Sequence, residues 1–128
     1  KSARKCSKQL YYASDSIRSL FLVEASDEQS ALRAFQEITA FFPSKDTADV
    51  MMNILSIYDE NKFRLLLFPR KTHRPSCYFS EGRKQLLVSP GAVDMGGLII
   101  LPRQDDFEKV TSDDLLCIFR EICLFPLS

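Results

Sequence analysis

The stretch VMMNILSIYDENKFRLLLF, residues 50–68, decides the fold. Two apolar runs, VMMNILSI (50–57) and FRLLLF (63–68), flank the polar, turn-forming YDENK (58–62). So short a connection leaves no room for a crossover helix, so the two runs are read as an antiparallel hairpin. Upstream, SLFLVEA (19–25) is apolar enough for a strand covered on both faces. Ser26 then stands where a helix N-cap is wanted, with Gln29 three positions on to complete a capping box. The helix it opens is expected over roughly 27–41, with Ala31, Phe35, Ile38 and Phe42 on one stripe, Arg33, Gln36 and Glu37 facing away, and Pro43 ending it.

Downstream of the hairpin, QLLV (85–88) and LIIL (98–101) are two further strand candidates, joined by SPGAVDMGG (89–97). A second helix is expected over roughly 112–123. Thr111 caps it, Asp113 and Asp114 suit its positive N-terminus, and Leu115, Ile118, Phe119 and Ile122 form its buried stripe. The order predicts an α+β domain: a mainly antiparallel sheet of about five strands with two helices.

Composition sets the outer bounds. The 128 residues suffice for one domain with a core, and the 45% apolar and 27% charged content is that of a globular protein. Residues 1–16 are basic, lack an apolar signal core and are expected to form a poorly ordered lead-in. With Lys1 in place of a methionine, the 128 residues are expected to be a single domain of a longer chain, its C-terminal part by the resemblance described below. Seventeen basic residues balance seventeen acidic ones, which argues against nucleic-acid binding. No apolar run approaches the ~18 residues that span a bilayer. Cys6, Cys77, Cys117 and Cys123 form no CxxC pair, so all four are expected to be free thiols in a reducing cytoplasm. Cys117 and Cys123, on the apolar C-terminal helix, are expected to be small core residues.

The chemistry gathers in RLLLFPRKTHRPSCYF, residues 64–79. Arg70, Lys71, His73 (the only histidine) and Arg74 crowd between Pro69 and Pro75. Arginine grips phosphate oxygens through a two-pronged fork and lysine as a point charge, and the prolines lower the cost of ordering such a loop. The competing reading is a solvated basic turn. His73 and Cys77 are spaced like a ligand pair, but with Cys6 as the one plausible third donor no metal site is expected, and no cofactor. Gly96 and Gly97, before an apolar strand candidate, admit two readings: backbone amides facing a ligand, or a tight connection in left-handed geometry. No P-loop, dinucleotide fingerprint or nucleophile elbow is present.

In combination, NILSIYDENKFRLLLFPR (53–70) followed by VSPGAVDMGGLIILP (88–102) resembles the C-terminal half of the histidine-triad-like nucleotide phosphorylases. Diadenosine tetraphosphate phosphorylase and GDP-L-galactose phosphorylase share a strand that begins with Asn, a basic "PR" strand end and an Ala/Gly loop entering an apolar strand. AVDMGG (92–97) is similar to the Ala-x-x-Met-x-Gly stretch of the GDP-hexose enzymes, and FPRKTHRPSCYF (68–79) to an uncharacterised bacterial branch. The resemblance implies a nucleotide or nucleotide-sugar substrate. It also implies attack on the α-phosphorus by a histidine of an H-x-H-x-Q/H motif, giving a nucleotidyl-enzyme. This sequence contains no H-x-H, so no catalytic residue is expected in it, and the N-terminal half of the same protein becomes the implied partner. Arg70, Lys71, His73 and Arg74, with Gly96 and Gly97, are then the expected phosphate-binding set. A non-catalytic nucleotide-binding or interaction module of the same superfamily is the alternative, and a second copy stays open as a further partner.

Overall fold

The computed structural model describes residues 4–5, 10–14, 17–42 and 51–124. Its centre is the predicted hairpin, β4 (Met52–Asp59) against β5 (Lys62–Pro69), paired from Met52↔Pro69 to Asp59↔Lys62. The strands run closer to the turn than the sequence pattern indicates because only Glu60 and Asn61 lie between them. Both have positive φ, 48° and 58°. Such a two-residue turn has the twist that antiparallel strands need, and Asn tolerates that region well.

The strand β3 (Ser19–Ala25) lies at its expected position and pairs with β5, Phe21 opposite Leu67. Beyond it come β2 (Leu10–Ser14) and the two-residue β1 (Arg4–Lys5), so part of the stretch expected to be a poorly ordered lead-in is sheet. The sheet has five antiparallel strands in the order β1-β2-β3-β5-β4. The class and the strand number are as predicted, but two of the members are not. QLLV and LIIL form no strand. Their side chains nonetheless alternate between inside and outside. Leu86 and Val88 are buried and Ile99 and Leu101 pack on the core, whereas Leu98 and Ile100 are exposed. What they lack is a neighbouring strand: the Leu87 N–H donates to Asp106 Oδ2 at 2.9 Å and the Ile100 N–H to Asp94 Oδ1 at 2.9 Å. Two carboxylates thus satisfy backbone donors that a ladder would otherwise take.

Both faces of the sheet are covered, which is why Leu65 to Phe68 read as an unbroken apolar run. On one face α1 (Glu28–Thr39) sets Ala34 and Ile38 against Val23 and Leu67, with Phe21, Phe35 and Leu65 at the margin. Its N-cap is Asp27, one residue later than expected. The Asp27 carboxylate accepts from the Ser30 N–H at 2.8 Å and from the Ser30 hydroxyl at 2.8 Å, and the Ser26 hydroxyl donates to it. A carboxylate does this better than a hydroxyl because it also meets the positive helix end. Pro43 lies outside the described residues.

The opposite face carries the larger core. Leu55, Leu66 and Phe68 meet Leu86, Val88 and Met95, together with Ile118, Phe119 and Ile122 from α4 (Ser112–Ile122). Two short helices complete this layer, α2 (Ala92–Gly96) and α3 (Gln104–Lys109). The expected cap of α4 is present: the Asp114 N–H donates to Thr111 Oγ1 at 3.2 Å, and Asp114 Oδ2 accepts from the Thr111 N–H at 2.9 Å. Cys123 is buried as expected, but Cys117 is exposed on the outer side of α4 and is no core residue. Cys77, Cys117 and Cys123 are free thiols, and Cys6 lies outside the described residues. Among the described residues no helix is long and apolar enough to cross a membrane.

Candidate functional site

The basic loop starts where β5 runs out and is fastened on every side before its side chains reach solvent. The Arg70 N–H donates to the Met51 carbonyl at 2.8 Å, and the Lys71 N–H to the carbonyl of Ile122, the last residue of α4, at 2.7 Å. At the far end, the Ser76 N–H and hydroxyl donate to the two carboxylate oxygens of Glu121, at 2.7 and 3.0 Å. Pro69 and Pro75 are fully buried, so they anchor the loop to the core as well as stiffening it.

Arg70 itself is not a surface cation. It is only 6% exposed. Residues of one parity in β5 share a face, and Leu66 and Phe68 point into the larger core, so the next residue of that parity is carried inward too. Its Nε donates to the Thr72 carbonyl at 3.2 Å and its Nη1 to Asn53 Oδ1 at 2.8 Å. Nη1 also donates to the Pro90 carbonyl, and Nη2 to that of His73. The guanidinium therefore ties together the start of β4, the basic loop and the 89–91 segment. Burial draws its pKa below the ordinary arginine value, while nearby Cys123 and Asp94 favour its charge. Asn53 and Arg70, which the sequence sets 17 positions apart, meet directly. The Asn carries no role in the sequence reading; its recurrence with the "PR" strand end was the available signal.

The remaining polar side chains of the cluster are exposed. Lys71, His73 and Arg74 stand at the mouth of a cleft of about 650 Å³, which Arg70, Ser89 and Gly91 also line. Lys71 and His73 have no side-chain partner among the described residues. Arg74 lies 4.4 Å from the centre of the Tyr78 ring, a cation–π contact that orients the guanidinium and leaves its N–H groups available. Two exposed cations and a histidine around a concavity, above one buried cation paired with neutral oxygens, make this end of the sheet attractive to anions. Among the described residues no group of three His, Cys, Asp or Glu side chains is placed to hold a metal ion.

Gly96 and Gly97 are not part of this cleft. They end α2 at the opposite end from Gly91, whose N–H donates to Asp94 Oδ2 at 2.8 Å. A Cβ on Gly96 would come within 3.0 Å of Leu55 Cδ1, so its bareness lets α2 lie close on β4. Gly97 is the helix C-cap with φ of 115°, the left-handed geometry that was the second of the two readings.

The family model described as "GDPGP1-like, C-terminal domain" matches residues 8–125, a span that includes the whole basic loop and all of α1–α4. No curated protein and no solved structure matches the chain.

Proposed function

The chain belongs to the GDPGP1-like family as its C-terminal domain, a domain of the nucleotide phosphorylases, and from that premise we propose that it forms the substrate-holding half of an enzyme that phosphorolyses a nucleotide sugar, a GDP-hexose in the first instance. The match over residues 8–125 is the observation that carries this reading. In the reaction a histidine supplied from outside this chain attacks the phosphorus bearing the guanosine, and hexose 1-phosphate leaves. Inorganic phosphate then takes the guanylyl group from the histidine and GDP is released. Both steps build charge on phosphate oxygens, and positioning with charge neutralisation is the main help a protein gives such transfers. Lys71, His73 and Arg74 are the groups that would meet those oxygens. Arg70 acts from beneath, shaping the loop and adding positive potential.

The test uses the full-length protein with a GDP-hexose and inorganic phosphate, following GDP and hexose 1-phosphate by chromatography. Phosphate-dependent release of both is expected. Lys71→Gln and Arg74→Gln should each lower kcat/KM by one to two orders of magnitude, the worth of a charge-assisted hydrogen bond of ~1.5–3 kcal/mol. Nucleotide binding without phosphorolysis of any GDP-hexose would replace this reading with a non-catalytic module. Full activity in both variants would reduce the loop to a solvated turn.

A further inference from the structure

A second cluster of cations lies outside everything described so far. In the spacing Arg103-x-x-Asp106-x-x-Lys109, Arg103 at the N-cap of the short α3 and Asp106 and Lys109 within it become neighbours. Asp106 is completely buried. Its carboxylate takes a two-pronged fork from Arg103, Nε to Oδ2 at 2.9 Å and Nη2 to Oδ1 at 2.8 Å. Lys109 Nζ adds a contact to Oδ1 at 2.9 Å, and the Leu87 N–H one to Oδ2 at 2.9 Å. Gln85 then fixes both cations a second time: Arg103 Nη1 donates to its Oε1 at 3.1 Å and Lys109 Nζ to its carbonyl at 2.6 Å.

The donors are not exhausted. A guanidinium has five N–H groups and an ammonium three, so each side chain keeps at least one to give. Both remain partly exposed, Arg103 at 40% and Lys109 at 33%. They line a cleft of about 880 Å³ floored by Leu86. Arg83 and Lys84, on the turn Gly82–Lys84, line it too. Neither has a hydrogen bond or ion pair among the described residues. The acidic lining residues are largely committed: Asp114 caps α4 through Thr111, and Asp105 lies near Arg103 and supports its charge. This cleft shares no lining residue with that of the basic loop.

We infer that this cleft is a second anion site, and that it takes a small molecule carrying a diphosphate, with Arg103 and Lys109 as its preset half and Arg83 and Lys84 closing from the turn. Two side chains already locked in place need no further ordering for their remaining N–H groups to meet a phosphate, and charge-assisted hydrogen bonds to phosphate are strong ones. A cleft of this size holds a nucleotide-sized ligand. Two cation pairs on separate segments suit two linked phosphates better than one. An occupant would also tie the 82–84 turn to α3. The inference stands apart from the phosphorylase reading, since none of these residues is asked to take part in that reaction.

Calorimetric titration of the full-length protein with inorganic pyrophosphate and, separately, GDP tests it. The double variant Arg83→Gln/Lys84→Gln should weaken one pyrophosphate-binding event tenfold or more. Lys71→Gln/Arg74→Gln, in the other cleft, should leave that same event unchanged. Pyrophosphate rather than GDP is the deciding probe, because it binds without base recognition and whether or not any nucleotide sugar is turned over. Thermal melts confirm that both variants fold, as substitutions of exposed side chains should. Wild-type affinity in Arg83→Gln/Lys84→Gln, an equal loss in both double variants, or no pyrophosphate binding in the wild type would each overturn the site.

Discussion

Arg70 and Asp106 are both buried charges, and the fold accommodates them in opposite ways. Asp106 sits among cations: the Arg103 fork, with Lys109 and the Leu87 amide, outweighs burial and holds its carboxyl well below the usual carboxylate range. Its charge is neutralised on the spot, and what it organises is the cations around it. Arg70 sits among neutral oxygens, Asn53 Oδ1 and three backbone carbonyls. Its charge is solvated but not cancelled. What it organises is backbone, and its field remains for the cleft above. A buried anion thus presets a cationic surface in one region, and a buried cation shapes a loop in the other. The two arrangements respond differently to loss. The buried Pro90 carbonyl and its half-buried neighbours cannot follow the missing donor, whereas half-exposed cations turn to water.

The largest effect should therefore come from Arg70→Met. The substitution keeps volume but strips donors from four buried or half-buried acceptors that hold the 72–74 and 89–91 segments together. A charged hydrogen bond is worth ~1.5–3 kcal/mol, and the four are not additive, so a stability loss of about 3–4 kcal/mol is expected by urea unfolding. Arg70→Lys should recover little, because an ammonium cannot span acceptors laid out for a planar fork. A loss under about 1 kcal/mol would remove the contrast between the two charges.

Asp106→Asn comes next. Breaking a buried pair costs about 3–5 kcal/mol when the orphaned partner stays buried. Arg103 and Lys109 reach solvent, so about 2–3 kcal/mol is expected at neutral pH. The pH dependence carries the sign. Asp106 has a folded pKa below its unfolded value of roughly 3.9, so its stabilisation is complete above that value and fades as pH falls through it toward the folded pKa. The gap between wild type and Asp106→Asn in urea should then be wide and constant above about pH 5, begin to close below about pH 4 and keep closing as the pH falls further. A gap unchanged with pH would mean that Asp106 acts through shape alone.

These two residues also mark where sequence reading reaches and where it stops. The hairpin 52–69, β3 and both long helices were legible because alternation, caps and turn residues are local signals. The strands at 85–88 and 98–101 were misjudged, although both segments do alternate between core and exterior. A strand needs partners, and here Asp94 and Asp106 supply them from elsewhere in the chain. The basic loop was legible as a cluster of charge but not as a set of depths. Lys71, His73 and Arg74 are exposed where a ligand could meet them, while Arg70 turns inward. Its parity with Leu66 and Phe68 was the clue. The Arg103, Asp106 and Lys109 spacing was equally visible, yet nothing in it says that the aspartate is buried, and burial is what turns a solvated charge run into an ordered cluster.

The smallest effect sharpens the comparison at a third arginine. Arg18 Nη1 donates to the Met95 carbonyl at 2.6 Å near the end of α2, an arginine-to-backbone contact of the Arg70 kind but at a half-exposed position. Gly97 caps that helix end with φ of 115° and ψ of 4°, and a Cβ there would lie 3.5 Å from Arg18 Nη1. The space is adequate, so the cost of Gly97→Ala is the backbone conformation alone, about 1–2 kcal/mol. Gly97→Ala should lower the melting temperature modestly and leave nucleotide affinity where it was, because Gly97 lines neither cationic cleft. Calorimetry and a melt on the same variant decide the matter. Affinity lost at unchanged stability would return Gly97 to the ligand and restore the reading in which its backbone faces a bound phosphate. Stability lost at unchanged affinity leaves it as the hinge that turns the chain from α2 into the core, with Arg18 holding the carbonyl beside it.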